Sequence, residues 1–387
     1  MLPMQKNTGP ALSSQFIYVD RAEALSRLTA ALHTVDRVAF DTEADSLHHY
    51  FEKVCLIQLS FAGATYVVDP LARLDLGEFL AELSRKELII QGADYDLRMM
   101  KKTFGFRPAA PVFDTMLAAQ VLGYEKIGLA ALVEKFCGVV LPKSSRKADW
   151  ARRPLLARHL TYAADDTRYL ETVAARMTGE LQSLGRLEWH RECCERVVEV
   201  SGRPDKAGER EEWRIKGSSK LPSGVLVYVK ELWSWRDAES RRRDRPPFMV
   251  MSNENLIALA GWLAANPGAS VAGGPAFLRK VSGGTLTRLE DAIRRARACP
   301  AEAFPEPLKM TFTREAPVSG EKVEELRAAC KKIADELKIE ACFLVSRAAA
   351  VDIVRCRPST VEGVMEAGGL MRWQAERILP AVRAVLG

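Results

Sequence analysis

Three apolar residues that run straight into two carboxylates, Val38-Ala39-Phe40-Asp41-Thr42-Glu43, constrain this chain more than any other stretch. Read as a β-strand, the segment places Asp41 and Glu43 on one face, because successive side chains alternate. Two carboxylates side by side at a strand end repel each other unless a cation sits between them. Hard oxygen ligands of this kind suit Mg²⁺ or Mn²⁺. The competing reading is a strand that ends in a solvated acidic turn, since a lone Asp-x-Glu is common. What lies downstream decides between the two.

The surrounding chain reads as an α/β sheet with helices on its faces. Phe16 to Val19 is a short strand, and Asp20 caps a helix from Arg21 to His33 with Leu25, Leu28, Ala31 and Leu32 at helical spacing. Val54 to Phe61 and Thr65 to Asp69 form a hairpin around Gly63, followed by a helix from Leu76 to Leu83 and a strand from Glu87 to Gln91. Sites in such sheets gather at strand ends. The words that follow the last strand, Gly92-Ala93-Asp94-Tyr95-Asp96, offer a third carboxylate there. Asp94 and Asp96 compete for that role; Asp94 also suits a helix N-cap, and Asp96, at the start of the helical run with Leu97 and Met100 packing inward, is favoured for the chemistry. Further on, Tyr162 and Asp166 stand four apart on a helix and share a face, with Asp165 as the rival carboxylate.

Composition excludes several classes. The 387 residues allow two or three domains, and 48% hydrophobic with 27% charged residues is ordinary for soluble globular protein. A formal net charge of +6 permits a polyanionic partner without demanding one. Eight scattered cysteines, with Cys193-Cys194 adjacent and no Cys-x-x-Cys, suggest neither a zinc site nor a disulfide framework. Residues 1–15 lack the apolar run of a signal peptide, and no stretch approaches a transmembrane span. The expectation is a cytoplasmic protein with no membrane partner. No Gly-rich phosphate loop is visible, so no nucleotide cofactor is expected.

Taken in order, Asp41-x-Glu43, Tyr95-Asp96 and Tyr162-x-x-x-Asp166 resemble the three exonuclease motifs of the tyrosine branch of the DEDD superfamily. The flanking words Leu56-Ile57-Gln58-Leu59, Gly92 to Leu97, Phe113-Asp114-Thr115, Asp149 to Leu155 and Tyr162 to Asp166 sharpen this to the ribonuclease D family, over roughly residues 16–180. Each motif alone is weak; three in this order are specific. The resemblance implies a ribonuclease H-like exonuclease domain, a mixed sheet flanked by helices. It also implies two divalent ions, Mg²⁺ or Mn²⁺, with Asp41 bridging them, Glu43 and Asp166 completing one site, and Asp96 holding the second, partly through water. Tyr162 orients the attacking water, since a phenol ionising near about 10 is a poor base. Asp114 reads as a structural cap for a helix from Thr115 to Leu122. In the basic loop, Lys143, Arg146 and Lys147 are candidates for substrate phosphates and Trp150 for stacking a base, against a solvated loop with a packed tryptophan.

The second half reads as helical. Gly202 to Gly224 is a Gly-, Pro- and charge-rich connector. The helices after it, with Trp233, Trp235 and the run Arg241 to Arg245 before Pro246-Pro247, and with Asn253 capping Leu256 to Leu263, look like a helicase-and-ribonuclease-D C-terminal (HRDC) domain. Helices from Lys322 to Leu386 resemble a second, more diverged copy. The expected boundaries are therefore 1–15 flexible, 16–200 exonuclease domain, 201–224 connector, 225–300 first HRDC domain and 301–387 second HRDC-like domain. The first copy carries net +5, the second zero. Arg241, Arg242 and Arg243 are thus the candidates for gripping RNA, against a helix end tied up in salt bridges. The whole implies a 3′→5′ exoribonuclease that releases nucleoside 5′-monophosphates from RNA with a free 3′ end, tRNA precursors foremost. The rivals are a DNA 3′→5′ exonuclease and a non-catalytic RNA-binding protein on the same fold.

Overall fold

The computed structural model describes residues 16–142, 148–203, 211–307 and 318–387. Two compact units emerge. The first comprises the chain to Ala44, Lys53 to Arg203, and the C-terminal segment from Arg314; the second comprises Asp45 to Glu52 and Pro204 to Thr313.

The first unit is built on a six-stranded mixed sheet. Its elements begin β1 (Ile17–Val19), α1 (Ala22–Leu32), β2 (Arg37–Ala44), β3 (Val54–Phe61), β4 (Ala64–Val68), α2 (Gly77–Ser84), β5 (Glu87–Ile90), α3 (Ala93–Phe104) and β6 (Val112–Asp114). They continue as α4 (Thr115–Leu122), α5 (Leu129–Cys137), α6 (Ala157–Arg168), α7 (Leu170–Ser183) and α8 (Leu187–Gly202). The strand order is β1-β4-β3-β2-β5-β6. β2 pairs antiparallel with β3 and parallel with β5, so the strand expected to carry the carboxylates lies inside the sheet. Every residue of β3 is buried, the polar Gln58 and Ser60 included, as in a strand covered on both faces.

The two faces of β2 serve different cores. Val38 and Phe40 pack with α1, α2 and α3 through Leu28, Phe79, Leu97 and Met100. Ala39, on the opposite face with Asp41 and Glu43, joins the core of α4, α5 and α7. That second core continues into the C-terminal helices α13 (Gly320–Leu337), α14 (Ala341–Leu344), α15 (Arg347–Cys356), α16 (Val361–Gly368) and α17 (Arg372–Leu386). Trp373 stacks on Trp189 of α8 at 4.6 Å between ring centroids. Arg186 donates to the carbonyls of Val121 and Leu337, both at 2.8 Å, clasping the ends of α4 and α13. At Gly123 (φ +80°) a Cβ would lie 1.7 Å from the Lys338 carbonyl oxygen, so only glycine admits this approach.

The second unit is helical: α9 (Ser223–Arg243), α10 (Pro247–Val250), α11 (Asn253–Ala265) and α12 (Gly283–Ala298). α11 and α12 both pack on α9 around Leu226, Leu232, Leu259 and Leu289. Trp213, in what reads as an exposed connector, is buried in this core. Residues 45–52, the segment between β2 and β3, also belong here. Asp244 accepts from the backbone N–H groups of Tyr50 and Phe51 at 3.0 and 3.1 Å and lies 2.7 Å from His49 Nδ1.

Local expectations fail at several helix starts. Asp20 makes no cap for α1; the N-cap position is Arg21, and Asp20 pairs with it instead. Ser252, not Asn253, caps α11, its hydroxyl accepting from the Asn255 N–H. No helix among the described residues is long and apolar enough to cross a membrane.

Candidate active site

The site begins where β2 ends. Alternation along the strand carries Asp41 and Glu43 to the face covered by α6 and α7, and Thr42 to the face covered by α3. α6 crosses β2 and β3, and its Ser60–Thr167 contact (2.8 Å between hydroxyl oxygens) pins the helix to the sheet. Next to Thr167 in the chain, Asp166 completes a cluster: carboxylate oxygens of Asp41, Glu43 and Asp166 lie within 4.8 Å of one another. Asp165 is not in that cluster and pairs with Arg168 at 3.2 Å.

Asp96 comes from the other side. Gly92 takes the left-handed conformation (φ +78°) and is the N-cap of α3, so the helix starts before Asp94. Asp94 is therefore no cap; it pairs on the surface with Arg98 at 2.7 Å. Asp96 is turned inward and buried. Its Oδ1 accepts from the Thr42 hydroxyl at 2.5 Å and the Thr42 N–H at 3.1 Å. Asp114 supports this turn. Besides capping α4 through the Met116 and Leu117 N–H groups, its carboxylate accepts from the N–H groups of Gly92 and Ala93 at 3.0 and 2.8 Å.

The electrostatics match a cation-binding site. Burial, reinforced by the carboxylates of Asp96, Asp166 and Glu43, pushes the Asp41 carboxyl well above its ordinary range. Burial pushes Asp96 up to about 7, against the hydrogen bonds from Thr42 that hold it down. A protein that gathers this much negative charge in one place stabilises it with positive charge, and the donor set is all oxygen. The residues present fit divalent metal ions.

Tyr162 stands on α6 one turn before Asp166, half-buried. Trp150 lies against it, rings 6.1 Å apart and nearly parallel, and is 1% exposed. Trp150 is thus a packed residue that backs Tyr162, and the expectation that it stacks a base is corrected: its ring faces are covered. The chain holds it there through Arg153, which makes two 2.7 Å bonds to Asp69 and donates to the Trp150 and Cys55 carbonyls. Lys143, Arg146 and Lys147 lie outside the described residues.

Arg241, Arg242 and Arg243 all sit in ion pairs. Glu239, 1% exposed, meets Arg242 at 2.9 Å and Arg243 at 3.0 Å, and also Arg288. Arg241 pairs with Asp237 at 2.9 Å and lies over the Tyr50 ring. Sequence reasoning missed Thr42 and Arg153 as supports of the site. Thr42 sits between the two motif carboxylates, and only the long-range fold shows that its hydroxyl reaches Asp96.

Comparison with known proteins agrees with this geometry. The 3′-5′ exonuclease family model matches residues 16–182, and the HRDC domain model matches residues 226–269. The ribonuclease D of Cronobacter turicensis is 30% identical over 336 residues, covering 84% of this chain and 87% of that protein. That of Shewanella sp. (strain ANA-3) is 33% identical over 253 residues, and the match spans 64% of each chain. Escherichia coli RNase D, described as an exoribonuclease involved in structured RNA processing, shares the fold with a TM-score of 0.70 at 23% identity, over 96% of this chain and 98% of that one.

Proposed function

Because the chain belongs to the ribonuclease D family, we propose that it is a divalent-metal-dependent 3′→5′ exoribonuclease that releases nucleoside 5′-monophosphates, with tRNA precursors among its structured substrates. The observation that carries this reading is the convergence of Asp41, Glu43 and Asp166 within 4.8 Å beside a buried Asp96. We assign Asp41, Glu43 and Asp166 to one of two ion positions and Asp41 with Asp96 to the other. Two divalent ions, Mg²⁺ or Mn²⁺, supply an activated water and offset charge on the departing 3′ oxygen.

The chain's own residues do the rest. Thr42 fixes the orientation of Asp96 through two hydrogen bonds. Tyr162, braced by Trp150, directs its phenol toward the water that attacks the terminal phosphodiester. Asp96 is buried and Asp41, Glu43 and Asp166 are half-buried, which limits bulk water and strengthens charge interactions in the site. Arg241, Arg242 and Arg243 keep partly exposed guanidiniums despite their ion pairs, and they serve RNA phosphates as secondary contacts. The eight cysteines, all free thiols, support residence in the cytoplasm.

The test is mononucleotide release from 3′-labelled RNA and from DNA of the same sequence, with Mg²⁺, with Mn²⁺ and with chelator, for wild type and Asp41→Asn. Stepwise metal-dependent loss of RNA, absent in Asp41→Asn, is the expected result. Preference for DNA moves the protein to DNA 3′→5′ exonuclease, and RNA binding without cleavage leaves a binding protein.

A further inference from the structure

The β2–β3 ladder places Asp41 directly opposite Gln58. Directly opposed residues in an antiparallel pair point to the same face, with Cβ atoms about 4.5–5.5 Å apart. Gln58 therefore stands beside Asp41 beneath α6, as Ser60 on the same face confirms by meeting Thr167 of that helix. Gln58 is 0% exposed, and among the described residues neither its Nε2 nor its Oε1 meets a hydrogen-bonding partner.

A buried side-chain amide without partners is unusual and costly. Packing does not account for it. Leu56, Ile57 and Leu59 around it are apolar and fully buried, and a leucine or methionine would fill the same space without two unmatched polar atoms. The neighbouring carboxylates do account for it. A lysine or arginine here would neutralise Asp41 and compete with a cation. A glutamate would add a fourth negative charge to the cluster. An amide supplies a hydrogen-bond donor at the end of a side chain without changing the charge of the site.

We propose that Gln58 is a positioning residue of the metal centre, its side-chain NH₂ donating to the Asp41 carboxylate when divalent ions draw that carboxylate into its ligating orientation. The proposal rests on the metal-dependent reading given above. It makes Gln58 a ligand-orienting group of the kind whose loss weakens metal binding about 10–100-fold in metalloproteins generally.

The test is Gln58→Met, which keeps the volume and removes the amide. Mn²⁺ binding is followed by the electron paramagnetic resonance of the free ion, unfolding temperature is measured in chelator, and kcat and KM are measured on 3′-labelled RNA. The expected result is an Mn²⁺ Kd raised threefold or more, about tenfold, with an unfolding temperature equal to or above wild type and a loss in kcat rather than KM. A change in Mn²⁺ Kd below threefold overturns the proposal, whatever happens to stability. Should Gln58→Met not fold, Gln58→Asn, whose amide is drawn back by one methylene, carries the same expectation and the same threshold. Wild-type protein that binds no Mn²⁺ defeats the metal-dependent reading itself, which is a different failure from unchanged binding in the variant.

Discussion

Thr42→Val removes one atom's worth of chemistry from the site and leaves its shape. Valine keeps the β-branched form suited to a strand, and the Thr42 N–H bond to Asp96 at 3.1 Å survives. What is lost is the hydroxyl donor at 2.5 Å. A hydrogen bond to a charged group contributes about 1.5–3 kcal/mol, and each 1.4 kcal/mol displaces a titration by about one pH unit. Asp96 already titrates near about 7 because burial outweighs the Thr42 bonds. Without the hydroxyl its ionisation moves about one pH unit higher, so at neutral pH only roughly a tenth of the metal-free protein carries an ionised Asp96 instead of roughly half. Metal binding requires the carboxylate, so affinity rises with pH, and the variant's curve is displaced toward higher pH. The assay is Mn²⁺ Kd from pH 6 to 9, with kcat/KM alongside. At pH 7 the variant binds about fivefold more weakly, the gap closes toward pH 9, and Thr42→Ser behaves as wild type. An Mn²⁺ affinity and pH midpoint unchanged in Thr42→Val would refute the assignment of Thr42 as the group that holds Asp96.

Three further outcomes follow from the same geometry. Asp166→Asn abolishes RNA cleavage yet raises the unfolding temperature in chelator, because relieving one repulsion at 4.8 Å is worth about 1–4 kcal/mol between water-like and protein-like screening; calorimetry with EDTA checks it. Tyr162→Phe lowers kcat about 10²-fold with Mn²⁺ Kd unchanged, since the phenol acts on water and not on the ions; single-turnover kinetics distinguish the two. Glu239, held down to about 2 by Arg242 and Arg288 against its burial, contributes stability that is present above about pH 4.5 and is lost as pH falls toward 2. That shift sets a ceiling of about 3 kcal/mol, and the half-exposed arginines reduce it to about 1–2 kcal/mol, so Glu239→Gln weakens the helical unit at pH 7 and by less than half as much at pH 3, by urea unfolding followed through tryptophan fluorescence.

Much of this was legible in the chain because the site is assembled from short local words. The two-residue period of β2 fixes the shared face of Asp41 and Glu43, and the helical period of α6 fixes that of Tyr162 and Asp166. Where local rules offered two answers, distant contacts decided. Asp94 reads as a cap, but Gly92 in the left-handed region starts the helix earlier and turns Asp96 inward. Trp150 follows a basic loop and reads as a surface ring, yet Arg153 anchored on Asp69 folds it under α6. The arginines after Trp235 look like a phosphate-binding run, while Glu239 within the same helix, hidden by one turn of spacing, takes two of them. Periodicity marks the C-terminal helices as helices but carries no information about which core they complete.

That core gives the chain an unusual timetable. The helical unit is inserted between two parts of the first unit, and α4, α7 and α8 finish burying their apolar residues only against α13 to α17. Ribosomes extend a chain by about 5–20 residues per second, so the stretch beyond Arg203 takes on the order of 10–40 s to make. For that interval Trp189 has no Trp373 to stack on, and Arg186, already within reach of the Val121 carbonyl, lacks the Leu337 carbonyl that completes its clasp. The inserted helical unit, whose residues 45–52 and 211–304 are all synthesised earlier, is able to close first. The middle of the sequence is therefore finished before its outside, and the first unit completes its core only after α13 to α17 have left the ribosome.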